Sequence, residues 1–305
     1  MTMPTPHLEK LNAVLENDKL PATDRPRIEG ALKRYEKWIE DMRRIEVDEE
    51  QASALEKMIG LFDEYKRYFD LDVIFDSEED FLYRQKGQLK LDNSIIEEFL
   101  PWLLRPPVFA DAPADLACGP STCYSAVYFE SSLGNSHPGA GIHLRTKDQD
   151  FALSRKLYIR ASHSPDFDCS EDVSTYIAYV ATEVKTNLDK TMFQEACATA
   201  RDLRMAVPAA RYFLMCEWLD MTPVSTAPTD ISEVLLLRGA KRLGSNMRKC
   251  FATSRGRKSA RSEFSRYLVD NPFRADVFGR WLGHIRGLLD DGDPAEDDVL
   301  GKGYF

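Results

Sequence analysis

Apolar positions in the first seventy residues recur with the period of a helix lying on a core. Ile28, Ala31, Tyr35, Trp38 and Met42 form one stripe, and Pro26 suits a first helical turn. Asp48 followed by Gln51 resembles a capping box opening a second helix, with Leu55, Ile59, Phe62 and Phe69 on its apolar face. The two are expected to pack as an antiparallel pair, a scaffold or a subunit interface. Phe81–Asp92 then reads as two short strands turning at Lys86-Gly87. Ser94 reads as the cap of a compact helix over IIEEFLPWLL, which the Pro-rich piece Arg105–Pro113 cannot continue.

From Cys123 the pattern favours strands, at Tyr124–Glu130, Gly141–Thr146, Leu157–Ala161 and Thr175–Thr186. Thr191–Arg204 has helical register, Arg211–Asp220 reads as a buried strand, and beyond Ile231 the chain reads as helical again. Strands, a helix and a further strand imply an α/β class, a mixed sheet with helices on both faces. The expected division is a mainly helical region over 1–105, an α/β core over 106–230 and a helical region over 231–305.

Composition changes this picture little. Of 305 residues, 43% are apolar and 30% charged, the balance of an ordinary globular protein. No apolar run approaches the roughly 20 residues that span a membrane, and the N-terminus lacks a secretory pattern, so a cytoplasmic location is expected. The cysteines form no CxxC pair, which argues for reduced thiols over a zinc site. Charge is more informative. The net charge of -10 argues against indiscriminate nucleic-acid binding, yet Arg238 to Arg266 carries ten cations opposed by Glu263 alone. Asp290–Asp298, by contrast, is strongly acidic. A basic segment in an acidic protein suits a polyanionic partner, with a solvated surface as the competing reading.

The chemistry concentrates in Thr175–Thr186, TYIAYVATEVKT. Side chains two apart on a strand share a face, so Glu183 and Lys185 stand together while Val184 points the other way. Upstream, Ser164-Pro165-Asp166 lies 17 residues before Glu183, enough to leave one strand and enter its neighbour. Asp166 and Glu183 would offer the hard oxygens that Mg²⁺ prefers, and Lys185 a cation to orient water or stabilise a phosphodiester transition state. A structural ion pair is the competing reading. The triplet is weak alone, since Glu64-Tyr65-Lys66 repeats its form in a helix, where a surface charge pair is expected. A Schiff base on Lys185 is disfavoured by the neighbouring carboxylates.

Pro165-Asp166 followed by Glu183-Val184-Lys185-Thr186 and a helix resembles the PD-(D/E)XK nuclease motif. The wider text FLYRQKGQLKLDNSIIEEFLP and EVKTNLDKTMFQEA is similar to type II restriction endonucleases, in particular subunits of heterodimeric enzymes that cut pseudo-palindromic seven-base-pair sites. The likeness covers about Glu79–Asp220. It implies a restriction-endonuclease-like α/β/α core, Mg²⁺ dependence, double-stranded DNA as substrate, a like or related second subunit and a prokaryotic source. On that analogy Asp166 and Glu183 bind metal and Lys185 is the catalytic cation. Because FDCSEDVS after Pro165 reads as loop, Asp168 competes with Asp166. Glu97, Glu98 and Glu130 are candidates for a further acid, and Gln194 is a polar alternate in the following helix.

A repair or structure-selective nuclease with the same core, and a DNA-binding subunit without catalysis, are the alternative functions. The five histidines show no metal-ligand spacing, and His163 near Asp166 reads as satisfied or exposed. Asn135–Gly139 and the basic run, including Lys241 and Arg242, are the expected DNA-facing pieces. Arg255, Arg257 and Lys258, flanked by Gly256 and serines, read as a flexible basic loop. Neutralising these three is expected to weaken binding to all sequences and flatten its salt dependence, measurable as the slope of affinity against salt; an unchanged slope would remove the segment from the interface.

Overall fold

A computed structural model describes residues 3–47, 49–110, 113, 115–290 and 296–303. The N-terminal periodicities become α1 (Pro6–Leu15), α2 (Arg25–Arg43) and α3 (Gln51–Tyr68). Ile28, Ala31, Tyr35, Trp38 and Met42 are buried as the stripe requires, facing Ile59 and Phe62. Asp48 of the expected capping box lies outside the described residues, as do Asp111 and Ala112 in the Pro-rich piece and Asp291 and Asp293 in the acidic stretch.

The expected hairpin over Phe81–Asp92 does not form. Phe81–Gln85 is a short helix, α4, followed by turns in which Lys90 adopts a left-handed φ of 50°. Helix α5 (Asn93–Phe99) is capped by Asp92, whose carboxylate accepts from the Asn93 N–H at 3.2 Å. Ser94, the expected cap, is instead buried within the helix, where its hydroxyl meets Nδ1 of His7 at 3.0 Å. A 3-10 turn over Leu100–Leu104 leads to the sheet.

Five strands form one sheet in sequence order: β1 (Ala117–Phe129), β2 (Ile142–Ala161), β3 (Glu171–Leu188), β4 (Arg211–Leu219) and β5 (Glu233–Lys241). The first three are antiparallel and the last three parallel. Helix α6 (Lys190–Ala206) makes the β3-to-β4 crossover that parallel neighbours require. It buries Phe193, Ala196, Ala200 and Leu203 against one face of the sheet. The other face, with Val180, Val184, Phe213 and Met215, packs on α2, α3, α5 and α9 (Ala275–Asp290), which follows the short α7 (Ser245–Cys250) and α8 (Ser254–Asp270). The class is thus a mixed sheet between helical layers, as expected.

Two expected strands, Gly141–Thr146 and Leu157–Ala161, are parts of the single strand β2. A straight strand of its 20 residues would hold its ends roughly 60 Å apart. Yet the Gly139 N–H, just before β2, donates to the Cys169 carbonyl just before β3 at 2.8 Å, so β2 curls back on itself. Gly139 has φ 57°, and a Cβ there would lie 2.9 Å from the Glu171 backbone nitrogen. Strand β5 was expected as helix. Its apolar run Val234–Leu237 lacks alternation because a parallel strand is covered on both faces.

Much of the basic segment is consumed inside the fold. Arg238 is buried, contacting Glu217 and Asp63 at 3.2 Å each and stacking 3.7 Å over Phe273. Glu217 also meets Lys66 at 2.7 Å. Lys66, expected on the surface, is 1% exposed and also pairs with Asp70, while Glu64 reaches Arg34 on the surface. Arg255, Arg257 and Lys258 lie in the first turns of α8 (Ser254–Asp270), capped by Thr253, not in a flexible loop. Arg257 is 1% exposed and donates to the carbonyls of Phe75, Phe251 and Ser77, with Asp80 at 2.7 Å. It therefore cannot face DNA, and its residence in the interior is the correction to the expected basic loop. Arg257→Ala should lower the unfolding free energy by about 3–5 kcal/mol in urea titration, because buried acceptors and Asp80 lose their cation. Lys258→Ala, whose 3.6 Å pair with Glu78 is exposed, should change it by less than about 1 kcal/mol.

Candidate active site

Glu183 and Lys185 point from β3 toward the face that carries α6, and Lys185 Nζ lies 2.7 Å from Glu183 Oε1. The other carboxylate oxygen, Oε2, accepts a short hydrogen bond from the hydroxyl of Tyr212 on β4. Val184 packs into the opposite layer, as strand alternation requires. Glu183 and Lys185 are half-buried, at 18% and 28% side-chain exposure, so they combine a fixed position with access to a ligand.

Neither Asp166 nor Asp168 joins them. The β2–β3 hairpin pairs Ala161 with Glu171 at its tip end and Phe151 with Thr182 at its base. Asp166 and Asp168 are exposed in the connection beyond the tip, and Glu183 lies twelve positions past Glu171 (183 - 171), about 40 Å along the strand. The Ser164 and Ser162 hydroxyls are occupied in shaping that turn, receiving Asp166 N–H and donating to the Asp168 carbonyl respectively.

The acid that does stand beside Glu183 is Asp150. It follows the last β2–β3 backbone pair, where the strands begin to part. Its Oδ2 accepts from the Val184 N–H at 3.0 Å, replacing the carbonyl that a continuing ladder would have offered. Its Oδ1 is 3.3 Å from Lys90 Nζ. Helix α5 adds Glu97, 5% exposed, with Oε1 buried and unbonded among the described residues. Burial, reinforced by the negative charge of Asp150, pushes the Glu97 carboxyl up to about 7. Asn93, at the start of α5, holds β3 on both sides of Lys185: it donates to the Val184 carbonyl at 3.3 Å and accepts from Thr186 Oγ1 at 2.6 Å.

The alternates fall elsewhere. Glu98 is a structural acid, accepting from the His7 and Leu8 N–H groups and the Tyr35 hydroxyl. Glu130 is exposed and lies 3.1 Å from His143 near the start of β2, and Gln194 is exposed on α6. Beyond Lys185 a cleft of about 540 Å³ opens at the ends of β3 and β4, lined in part by Lys86, Lys90, Asn93, Trp218 and Arg242. Arg242 lies on its wall but is engaged with Asp220 at 2.7 Å, whereas Lys241 and Arg255 are exposed without an ion pair among the described residues.

Asp150 could have been suspected from the sequence. It closes a polar alternation, Lys147-Asp148-Gln149-Asp150, and directly precedes the apolar Phe151-Ala152-Leu153. No proline precedes it, whereas the one Pro-Asp dipeptide lies in the connection beyond the hairpin tip. Among the described residues no three His, Cys, Asp or Glu side chains are gathered as a ready metal cage. Two adjacent carboxylates still suit Mg²⁺, which is commonly held by one or two carboxylates with water and substrate phosphate.

The family model for the Bpu10I restriction endonuclease matches residues 88–305, which contain all of these groups. The chain belongs to the Bpu10I restriction endonuclease family. It is a type II restriction endonuclease subunit, and its substrate is DNA. A solved structure titled "native BbvCI A2B2 tetramer at low resolution" is similar in fold, with a TM-score of 0.59 at 20% identity, over 88% of this chain and 98% of that one. No curated protein sequence matches the chain. No described helix is long and apolar enough to cross a membrane.

Glu97 also supplies a pH test. Its folded-state pKa, about 7, lies above the ordinary 4.5, so its contribution favours the folded state below pH 4.5 and is lost as pH rises through 7. Glu97→Gln should therefore gain stability relative to wild type across that window, by on the order of 3 kcal/mol in urea titrations at pH 4.5 and 8. A pH-independent difference would place the Glu97 carboxyl in an ordinary environment.

Proposed function

We propose that Asp150 and Glu183 bind Mg²⁺ and that Lys185 is the catalytic cation in hydrolysis of one strand of double-stranded DNA at a short specific sequence. The observation that carries this reading is the convergence at the parting of β2 and β3. Asp150 is fastened to the Val184 N–H, and Glu183 and Lys185 flank that residue. Adjacent hard oxygens and a cation are what phosphodiester hydrolysis needs from a protein. When bound, Mg²⁺ would supply charge neutralisation at the phosphodiester and activation of water.

The remaining groups orient and balance that centre. Lys185 is held over Glu183 by strand geometry, so it can turn to the substrate phosphate once the carboxylate takes another cation. Asn93 restrains the backbone on either side of it. Glu97, from α5, is a third acid near Asp150. The cations of the adjoining cleft offset the overall negative charge where a DNA backbone must pass. One such centre cuts one strand, so a double-strand break calls for pairing with a like or related subunit.

Plasmid DNA incubated with Mg²⁺ and the full chain, with any subunit that co-purifies, should give discrete nicked or cut products. Asp150→Asn and Lys185→Ala should each slow that reaction by at least ~100-fold while the protein remains folded by circular dichroism. Asp166→Asn should cleave as wild type. Full activity in Asp150→Asn, or its loss in a folded Asp166→Asn, would overturn the assignment.

A further inference from the structure

Tyr212, among the described residues, touches the site and is left without a task by the proposed chemistry. It is fully buried on β4, in the apolar cluster with Ala181, Ala200 and Leu214. Its hydroxyl nevertheless reaches Glu183 Oε2. Thr199 of α6 stands beside the hydroxyl, and its own Oγ1 accepts from Lys147 Nζ at 2.9 Å and donates to the Glu195 carbonyl at 3.2 Å. The phenol ring is thus backed by the crossover helix while its hydroxyl is engaged on Glu183.

We infer that Tyr212 is a positioning residue that keeps Glu183 a one-oxygen ligand, leaving only Oε1 to be exchanged between Lys185 and a divalent cation. The inference rests on the site reading above. The two donors on Glu183 differ in mobility. Lys185 is a flexible, partly exposed ammonium, which an entering cation can displace from Oε1. Tyr212 is enclosed on all sides and cannot leave Oε2 without abandoning a buried hydroxyl. With Oε2 so held, the Glu183 carboxylate would keep its orientation if a cation took the place of Lys185 at Oε1, and the Lys185 ammonium would be free to turn to the substrate. Without the hydroxyl, Oε2 would lose its partner, and Lys185 could close over both oxygens and compete more strongly with the cation.

The test uses Mn²⁺ as probe, with binding to the full chain read from the electron paramagnetic resonance signal of free ion. Tyr212→Phe keeps the ring and should weaken Mn²⁺ binding about tenfold. The Mg²⁺ concentration for half-maximal cleavage should rise by a similar factor, with the rate largely restored at saturating Mg²⁺. DNA affinity measured without divalent ion should not change. Thr199→Val, which removes only the hydroxyl standing beside the phenol, should shift Mn²⁺ binding the same way by a smaller factor. Wild-type Mn²⁺ binding in Tyr212→Phe, or a loss of cleavage that saturating Mg²⁺ does not restore, would overturn the role of Tyr212. If Tyr212→Phe does not fold, the Thr199→Val result decides, and unchanged Mn²⁺ binding there overturns the proposal. Asp150→Asn provides the separate control. Wild-type Mn²⁺ binding in that variant would overturn the site reading itself, whereas its loss beside an unaffected Tyr212→Phe would remove only the inference about the tyrosine.

Discussion

The bond from the Val184 N–H to the Asp150 carboxylate is the contact on which the arrangement turns. A sheet that continued past Phe151 and Thr182 would satisfy that N–H with a backbone carbonyl, and no side chain could enter between the strands. Where the strands part, an orphaned donor must find another acceptor. A carboxylate meets the need with a charge-assisted bond and brings an anion to Glu183 in the same step. Backbone hydrogen-bond accounting and site assembly are one event here.

The same economy of charge extends through the protein. Lys66, Glu217, Arg238 and Asp63 form a buried chain joining α3 to β4 and β5, and Arg257 ties α8 to the segment after α3. Such networks gain little over apolar packing but are costly to break, so they specify which elements meet. An acidic protein can then hold a basic segment without presenting all of it to a polyanion.

How much of this was legible in the sequence follows from the range of each interaction. Glu183 and Lys185 were readable because strand alternation is local, and the buried stripe of α2 because helical period is local. Asp150 had only its place at the edge of an apolar run to mark it, because its partner is set by the register of a hairpin whose tip lies eleven residues away, between Ala161 and Glu171. The only proline-preceded aspartate lies beyond that tip, far along the hairpin from Glu183. Lys66 and Arg257 carry no local mark of burial either, since Glu217, Asp80 and the Phe75 and Ser77 carbonyls that enclose them come from distant segments. Strand β5 failed for another reason: a leucine-rich run covered on both faces has no period to read.

Helix α5 belongs to two assemblies at once. One end grips β3 through Asn93, and Ser94 and Glu98 are fastened to His7, Leu8 and Tyr35 of the first two helices. His7 in turn meets the Tyr65 hydroxyl on α3 at 2.8 Å. The N-terminal layer is thereby the mount on which β3 is aligned. A chain shortened to begin at β1 would keep Asp150, Glu183 and Lys185 but lose Asn93 and Glu97 together with the helices that hold α5 in place.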